Sequence, residues 1–284
     1  MLKDEINQLT NQQLAAWSLA RDNYRALEQV KVKTLDVNGQ QYKVQFNPAR
    51  ITSSSAKVDA ASISQRKCFL CSANRPAEQK GVPYKEDYTI LLNPYPVFPR
   101  HLTIVLNEHA PQHIASRYGD MLDLAQLLDD DILFYNGPKC GASAPDHFHF
   151  QAGSKGLLPI ENDRNRSHAI IIESNDRQKM IHRFEQIYNS LPLQPGDVEP
   201  MMNIITWHEN QKSKIKNQKL PNWVTCLFPR KKHRPDCYWA EGENNMLISL
   251  AAVDLGGMFI MPLEKDFEKI TAKNIADVIN EVCL

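Results

Sequence analysis

The chain has 284 residues, of which 42% are hydrophobic, enough for one large domain or two smaller ones with their own cores. Its 33 basic residues equal its 33 acidic ones, so no net field favours a nucleic acid or an anionic membrane, and neither is expected as a partner. Residues 1–13 lack the apolar core of a signal peptide, and no run of about 18 apolar residues occurs. We therefore expect a cytoplasmic location. Six cysteines in a chain of this size are too few for a disulfide scaffold.

The first part of the chain predicts a helix and a hairpin. Apolar side chains fall near helical spacing over residues 11–29, which predicts one amphipathic helix that packs on the domain away from substrate. Two antiparallel strands are predicted at residues 30–37 and 42–46, because Asn38-Gly39 between them tolerates the positive φ of a tight turn. Residues 47–67 are polar and rich in Ser and Ala, and we expect an irregular segment there.

The middle part has a clearer pattern of strands and one helix. Alternating and apolar runs predict strands at residues 88–92, 101–106, 132–135 and 147–152. The first two are joined by a proline-rich connector over residues 94–99. A helix is predicted over residues 111–128, starting with a proline whose missing N–H has no cost at an early position. This order predicts an α+β fold with an antiparallel sheet and flanking helices.

The last part continues with a further set of elements. A strand at residues 169–173 and a helix at 176–191 precede a proline-rich linker at 192–200, which predicts a boundary between a catalytic domain of residues 1–191 and a C-terminal α+β half of residues 192–284. The remaining elements predicted are strands at residues 201–207, 223–228, 246–251 and 258–261 and a helix at 267–282. The C-terminal half could be a degenerate copy of the first, although no convincing residue-level repeat supports this.

One short segment carries the most informative chemistry. His147, His149 and Gln151 alternate with Phe148 and Phe150. On a strand, residues two apart point to the same face, so three polar side chains would project together with two aromatic rings behind them. An edge strand that carries two histidines by chance is the alternative for an isolated pair. The preceding loop of small residues and a nearby cysteine pair favour a functional site.

The stretch from Asn136 to Gln151 resembles the His-φ-His-φ-Gln signature of the histidine-triad superfamily, in the branch of galactose-1-phosphate uridylyltransferase, diadenosine tetraphosphate phosphorylase and GDP-galactose phosphorylase. The resemblance covers roughly residues 68–152, somewhat under a third of the chain. It implies a histidine-triad-like antiparallel sheet with flanking helices, often duplicated within one chain. The family often dimerises, so a homodimer is one expectation.

The resemblance implies a nucleophilic role for His149. Neutral imidazole has a pKa near 6.5, so it is largely unprotonated at neutral pH and can attack phosphorus without a separate base. Gln151 stands where hydrolytic relatives carry a third histidine, and an amide can only donate and accept hydrogen bonds. This favours transfer to phosphate or a sugar phosphate over transfer to water. Asn136 and Ser143 match the residues that orient the histidine and bind phosphate, although Ser143 lies one residue farther from His147 than in the uridylyltransferase pattern.

Cys68 and Cys71 have the two-residue gap that lets both sulfur atoms reach one tetrahedral metal ion. Redox use of the pair, or coincidence, is the alternative. The resemblance implies a structural zinc ion held by this pair and two histidines, which match His109 and His147 here. His113 is a weaker alternative to His109, and His101, at the start of a strand, is set aside as a ligand.

Nucleotide contacts are predicted from matched positions. Asn93 occupies the place where related proteins hold ribose and base. Asn47, Arg50 and Arg66 lie where the uridylyltransferases place phosphate- and base-binding residues, and the alternative for each arginine is a solvated surface charge. The basic run over residues 230–234 could hold a phosphate or could simply be solvated.

The leading hypothesis is a nucleotidyltransferase or phosphorylase. It would cleave the α,β-phosphoanhydride of an NDP-sugar or dinucleoside polyphosphate through a nucleotidyl-histidine, with phosphate or a sugar 1-phosphate as acceptor. The alternatives are a nucleotide hydrolase of the same fold, a catalytically inactive zinc-stabilised nucleotide-binding protein and a thiol redox protein. The sequence does not distinguish the base, the sugar or the acceptor.

Overall fold

The computed structural model describes residues 2–209 and 222–284 of the chain. Its strands are β1 Lys31–Val37, β2 Gln40–Phe46, β3 Gly81–Tyr84, β4 Tyr88–Leu92, β5 His101–Leu106, β6 Asp131–Asn136, β7 His149–Ser154, β8 Ile170–Ser174, β9 Met202–His208, β10 Trp223–Pro229 and β11 Met258–Met261. Its α-helices are α1 Leu2–Ala16, α2 Ser18–Leu27, α3 Ile51–Ser54, α4 Ala60–Gln65, α5 Tyr118–Leu127, α6 Arg177–Ser190, α7 Ala252–Leu255, α8 Glu264–Lys269 and α9 Ala272–Val282. None of the helices in the described ranges has the length and apolar character needed to cross a membrane.

The strands form two sheets, which confirms the predicted α+β fold. An eight-stranded sheet has the order β3-β4-β5-β7-β6-β9-β10-β8, and every neighbouring pair in it is antiparallel. A three-stranded sheet has the order β1-β2-β11, in which β11 runs parallel to β2. The large sheet takes strands from both sides of the boundary predicted after residue 191, because β9 pairs with β6 and β10 pairs with β8. The two predicted parts therefore share one sheet.

The large sheet is covered on both faces, and side chains alternate between the two cores. On β6, Leu133 and Tyr135 pack with helices α1, α5 and α6, whereas Ile132 and Phe134 pack with the small sheet and α9. Burial of apolar area on both faces is the main stabilising term of such a layered fold. Strand β7 follows the same alternation: Phe150 enters the helix-side core, so its neighbours on the strand face the other way.

Several predicted elements agree with the structure. The hairpin turn is confirmed, with Asn38 at a φ of 55° and Gly39 at 83°, as a two-residue turn with positive φ requires. The strands predicted at residues 88–92 and 101–106 are confirmed as β4 and β5. The helix predicted at 176–191 is α6, which Asp176 caps by accepting from the backbone N–H groups of the first turn.

Three predicted helices have different bounds. The helix predicted over residues 11–29 is two helices, because Trp17 has an extended backbone and turns its buried ring inward between α1 and α2. The helix predicted from residue 111 begins only at Tyr118, because residues 110 and 112 use their backbone groups to hold the segment before β7. The helix predicted over residues 267–282 is α8 and α9, divided at Thr271, whose side chain caps α9.

Three other predictions about secondary structure are also wrong. The segment predicted to be irregular, residues 47–67, contains the short helices α3 and α4. The strand predicted at residues 246–251 does not form, because the N–H of Leu247 bonds to the carboxylate of Asp266 and that of Met246 to the carbonyl of Cys237. Strand β7 begins at His149, two residues later than predicted, so His147 lies just before it.

Candidate active site

A cavity of about 590 Å³ opens beside Phe134 and Gln151, which pair across β6 and β7. Most of the predicted site residues come from separate parts of the chain and meet here. Seven of the eight predicted catalytic and nucleotide-binding residues line this cavity: Arg50, Arg66, Asn93, Asn136, Ser143, His149 and Gln151. The fold thus gathers these side chains around one space.

His149 lines this cavity, and its Nε2 has no hydrogen-bond partner within the described part of the chain. Its Nδ1 lies 2.8 Å from the carbonyl oxygen of His147, and because a carbonyl can only accept, Nδ1 carries the hydrogen. In the neutral ring Nε2 is then unprotonated, and its lone pair is available for attack on an electrophile. Burial lowers the pKa of His149 to about 4, against the opposing effect of the bond to the His147 carbonyl. The ring is therefore neutral at physiological pH, which is the state that a nucleophilic imidazole needs.

The fully buried side chain of Gln112 holds the backbone around His149. Its Oε1 accepts from the N–H of His149 at 2.8 Å, and its Nε2 donates to the carbonyls of His149 and Asn136, each at 3.1 Å. One amide thus fixes the end of β6 and the start of β7 relative to each other. This residue could not be predicted from the sequence, because a single glutamine in a polar segment has no diagnostic spacing.

Gln151 is oriented by the neighbouring histidine of β5. The Nδ1 of His101 accepts from the N–H of Val97 at 3.2 Å, so the hydrogen of the neutral ring is on Nε2. That Nε2–H donates to Gln151 Oε1 at 2.9 Å. Burial, together with the positive charge of Arg50, lowers the pKa of His101 to about 3, so this arrangement persists at neutral pH. The acceptor end of Gln151 is occupied, and its NH₂ group is the end available to a ligand.

Asn136, at the end of β6, and Ser143, in the loop that follows, line the same cavity. Asn136 Oδ1 accepts from Asn203 Nδ2 and from the N–H of Ala252, both at 2.8 Å, which leaves Nδ2 as the atom available to a ligand. Between these residues Gly141 has a φ of +89°, and a Cβ there would lie 2.8 Å from the carbonyl oxygen of Leu250. A side chain at position 141 would therefore push this loop away from the cavity wall.

Two arginines also line the cavity and bring positive charge to it. Burial lowers the pKa of Arg50 to about 10, and the nearby carboxylate of Asp254 opposes this shift, so the guanidinium is charged at neutral pH. Its Nη1 donates to the carbonyl of Tyr95 at 2.7 Å. Arg66 forms an ion pair with Asp146 and lies over the ring of Phe69, 5.1 Å from its centre. Each of these guanidinium groups also has a buried nitrogen without a protein partner among the described residues.

The predicted nucleotide-binding asparagines are both used inside the protein. Asn93 lines the cavity, where its Nδ2 donates to Thr103 Oγ1 at 3.1 Å and its Oδ1 accepts from the N–H of Tyr95 at 2.9 Å. Asn47 is not among the lining residues. Its Nδ2 donates to Gln45 Oε1 and to the carbonyl of Pro96, each at 3.1 Å, so it ties the proline-rich connector to β2.

The four predicted metal ligands form one cluster. The ligand atoms of Cys68, Cys71, His109 and His147 all lie within 4.8 Å of one another and could hold a metal ion. His147 Nδ1 lies 3.2 Å from Cys68 Sγ and 3.5 Å from Cys71 Sγ, and His109 Nδ1 lies 3.2 Å from Cys71 Sγ. Nδ1 of His147 faces the sulfur atoms because its Nε2–H donates to the carbonyl of Leu106 at 2.8 Å. The alternative ligand His113 lies instead 3.2 Å from the hydroxyl of Tyr188.

The cluster favours the ionised form of Cys68, whereas burial and the neighbouring Cys68 sulfur raise the pKa of Cys71. Burial on its own would raise the pKa of Cys68, but its contact with His147 and hydrogen bonds from the backbone N–H groups of Leu70 and Cys71 lower this pKa to about 6. A thiolate is the form that binds a metal ion. The cluster is joined to the cavity through the backbone, since the carbonyl of His147 fixes the ring of His149.

Other lining residues had not been predicted. Trp17 and Leu19 line the cavity, although the N-terminal helix was expected to pack away from substrate. The segment with α3 contributes Thr52, Ser53, Ser54 and Lys57, which add hydroxyl groups and a third cation. Such residues occur on many solvated surfaces, so the sequence alone could not single them out.

Comparison with known proteins agrees with this fold. The family model described as "Domain of unknown function (DUF4922)" matches residues 9–154, just over half of the chain. Protein APA1 of Saccharomyces cerevisiae is 25% identical over 228 residues, which cover 69% of this chain and 68% of that protein. The structure of yeast Ap4A phosphorylase Apa2 is similar with a TM-score of 0.60 at 14% identity, covering 94% of this chain and 96% of that one.

A second structure of the yeast phosphorylase, in complex with AMP, gives a TM-score of 0.56 at 15% identity, with 95% of this chain and 96% of that chain covered. Similarity over almost the whole length of both chains confirms the fold that the resemblance of the stretch from Asn136 to Gln151 implied. The chain belongs to the DUF4922 family and has a histidine-triad fold of the kind found in yeast Ap4A phosphorylase Apa2.

Proposed function

We propose that the protein is a nucleotidyltransferase or phosphorylase that transfers a nucleotidyl group through His149. Its substrate would be an NDP-sugar or a dinucleoside polyphosphate, and its acceptor phosphate or a sugar 1-phosphate. The observation that carries the proposal is the neutral ring of His149, whose Nδ1–H is held by the His147 carbonyl and whose Nε2 is free beside the cavity. The fold shared with yeast Ap4A phosphorylase Apa2 supports it.

The chemistry would have two displacements at one phosphorus atom. In the first, Nε2 of His149 attacks the α-phosphorus, the Nε2–P bond forms, and the bond to the bridging oxygen breaks so that the β-phosphate leaves as an anion. In the second, an oxygen of the acceptor phosphate attacks the same phosphorus and the Nε2–P bond breaks. A covalent intermediate of this kind divides one difficult displacement into two easier ones.

The surrounding groups suit a phosphate chain. The Nδ2 of Asn136 and the NH₂ group of Gln151 are donors for the non-bridging oxygen atoms on which charge is concentrated. Arg50, Arg66 and Lys57 would offset the negative charge of the phosphate chain. Gln151 cannot give or take a proton as a histidine could, and this favours an anionic acceptor over water.

We further infer that Cys68, Cys71, His109 and His147 hold one structural zinc ion. Zn–S distances of about 2.3 Å and Zn–N distances of about 2.0 Å in a tetrahedron place ligand atoms about 3.3–3.8 Å apart. The shortest sulfur–nitrogen separations here are 3.2–3.5 Å, and all four ligand atoms lie within 4.8 Å of one another. Four protein ligands leave no open position for water, so the ion would only cross-link the segment that carries His147 to the cysteine pair.

The test is a panel of NDP-sugars and dinucleoside polyphosphates, each incubated with and without inorganic phosphate, with the products separated by chromatography. The proposal expects turnover that requires phosphate or a sugar 1-phosphate. Turnover that is independent of any acceptor would identify a hydrolase of the same fold. Tight nucleotide binding without turnover of any member of the panel would identify a catalytically inactive binding protein.

A further inference from the structure

A buried arginine outside the cavity lining is connected to it by hydrogen bonds. Arg230, directly after β10, is only 2% exposed, and it belongs to the basic run of residues 230–234 that could have bound phosphate from solvent. Its guanidinium group instead donates to protein oxygens on every side, at 2.6–3.3 Å: Asn203 Oδ1 and the carbonyls of Leu250, Val282, Lys232 and His233.

Among residues 2–209 and 222–284, Arg230 has no carboxylate partner of the kind that normally compensates a buried charge. Its hydrogen bonds there go to amide and carbonyl oxygens only. Burying a cation in this way is costly, and the cost is offset only by oriented dipoles. A buried charge held in this way indicates a role in orienting the groups to which it donates.

The hydrogen bonds continue from Arg230 across the sheet to the cavity. Asn203 accepts from Arg230 at 2.6 Å through Oδ1, and its Nδ2 therefore donates, to Asn136 Oδ1 at 2.8 Å and to the carbonyl of Cys140 at 2.7 Å. Asn136 and Asn203 are direct partners in the β6–β9 pairing. Because Arg230 can only donate, it fixes which end of the Asn203 amide accepts, and Asn203 in turn fixes the orientation of the Asn136 amide.

The same arginine also holds the segment of residues 249–252, which forms part of the cavity wall. It donates to the carbonyl of Leu250, and two residues on, the N–H of Ala252 donates to Asn136 Oδ1. Ser249 and Ala251, which lie beside these residues, line the cavity. Arg230 thus sets the direction of the Asn136 amide and the position of one cavity wall together.

We propose that Arg230 is a positioning residue that acts through Asn203 to keep the Nδ2–H₂ of Asn136 turned to the cavity as a donor for a bound phosphate. This rests on the proposed function in taking Asn136 as a phosphate contact. Polarisation along a chain of hydrogen bonds would also strengthen the final donor.

The sharpest variant is Asn203→Asp, which changes one NH₂ group to oxygen. The new carboxylate can pair with Arg230, which offsets the loss of the bond to the Cys140 carbonyl, but it can no longer donate to Asn136. The amide of Asn136 would then reverse to donate to this carboxylate, giving up its bond from the N–H of Ala252, and its oxygen would face the cavity against the phosphate. We expect a melting temperature close to that of the unchanged protein and a formation rate of the nucleotidyl adduct lower by about 100-fold, the scale of losing one preorganised donor.

A second set of variants does not depend on that reversal. Arg230→Lys removes the forked donor, and Asn136→Ala removes the final donor. If Arg230 acts through Asn136, the double variant should form the adduct no more slowly than Asn136→Ala alone, whereas independent effects would multiply. Arg166→Lys is the matched control, because Arg166 is also buried, at 4% exposed, but lies over the ring of Tyr42. It should keep the rate of the unchanged protein.

Binding of the four nucleoside monophosphates, measured by calorimetry, separates this inference from the proposed function. If the unchanged protein binds a monophosphate but forms no adduct with any substrate of the panel, the proposed function is contradicted. The inference is then judged on the affinity for the monophosphate, which Asn203→Asp should lower at least about tenfold. Equal affinity and equal adduct rate in Asn203→Asp and the unchanged protein would overturn the inference, as would multiplying losses in the double variant. Failure of the unchanged protein to bind any monophosphate would contradict both.

Discussion

The Nε2 of His101 lies 2.9 Å from Oε1 of Gln151, and this one hydrogen bond decides which end of the glutamine amide a ligand meets. His101 can only donate through Nε2, because its Nδ1 already accepts from the backbone of Val97. The glutamine therefore offers a donor to the cavity, as a negatively charged phosphate oxygen requires.

Replacing His101 should separate this orienting effect from simple packing. His101→Leu keeps an apolar side chain of similar bulk but frees Gln151 to rotate, and we expect kcat to fall about 10- to 100-fold with a smaller change in KM. His101→Gln supplies an amide donor near the position of Nε2 and should recover part of the loss. Steady-state kinetics on the best substrate of the panel make the comparison. Equal kcat values for both variants and the unchanged protein would show that the bond does not matter.

His101 should also make stability depend on pH. Burial lowers its pKa from 6.5 to about 3 in the folded chain, so below about pH 6.5 only the unfolded chain takes up the proton. Its contribution is present above that pH and is lost as the pH falls toward 3. The unfolding free energy of the unchanged protein should decrease by about 1.4 kcal/mol per pH unit more steeply than that of His101→Gln between pH 6 and 4. Urea unfolding at several pH values measures both slopes, and parallel slopes would contradict the expectation.

The metal cluster predicts that replacing either of two cysteines of similar exposure will have very different effects on bound zinc and on stability. Cys71 lies in the cluster, whereas Cys237, also half-buried, lies outside it. Cys71→Ser should remove bound zinc and lower the free energy of unfolding by about 3 kcal/mol or more, with activity lost as a consequence. Cys237→Ser should retain one zinc ion per chain. Elemental analysis and urea unfolding of both variants provide the measurement, and a zinc-free unchanged protein expressed with adequate zinc would contradict the assignment.

The parts of the site that the sequence predicted are those governed by regular spacing. Alternation on a strand places His149 and Gln151 on the same side, and a two-residue gap brings Cys68 and Cys71 together; both relationships are local. The hairpin at Asn38-Gly39 was predictable for the same reason, since its turn requires residues that accept positive φ.

The residues that the sequence could not reveal depend on long-range contacts. Gln112 lies 37 positions before the histidine whose backbone it holds, and Arg230 lies 27 positions after the asparagine it orients. A basic run is ordinarily solvated, so nothing local indicated that Arg230 would be buried. The apolar pattern of residues 246–251 resembled a strand, but the Asp266 carboxylate took the N–H of Leu247, and tertiary contacts outweighed local propensity.

Gln151 should determine whether the acceptor is an anion or water. Gln151→His introduces a group that can take and give a proton near neutral pH, so we expect a larger share of hydrolysis and a smaller share of transfer to phosphate. The ratio of the two products at saturating phosphate is the measurement. Gln151→Asn retains an amide and serves as the control, which should lose rate without gaining hydrolysis. An unchanged product ratio in Gln151→His would show that the third position of the signature does not select the acceptor.

The central claim is that His149 carries the nucleotidyl group, and the most direct measurement is to locate that group. The protein is mixed with a substrate labelled at the α-phosphate in the absence of acceptor, digested at alkaline pH, where a phosphoramidate is stable, and mapped by mass spectrometry. We predict one nucleotidyl group on His149 that is lost in acid, released on adding phosphate, and absent from His149→Ala, which should still bind nucleotide. An active enzyme that shows no adduct, or an adduct on any residue other than His149, would contradict the account.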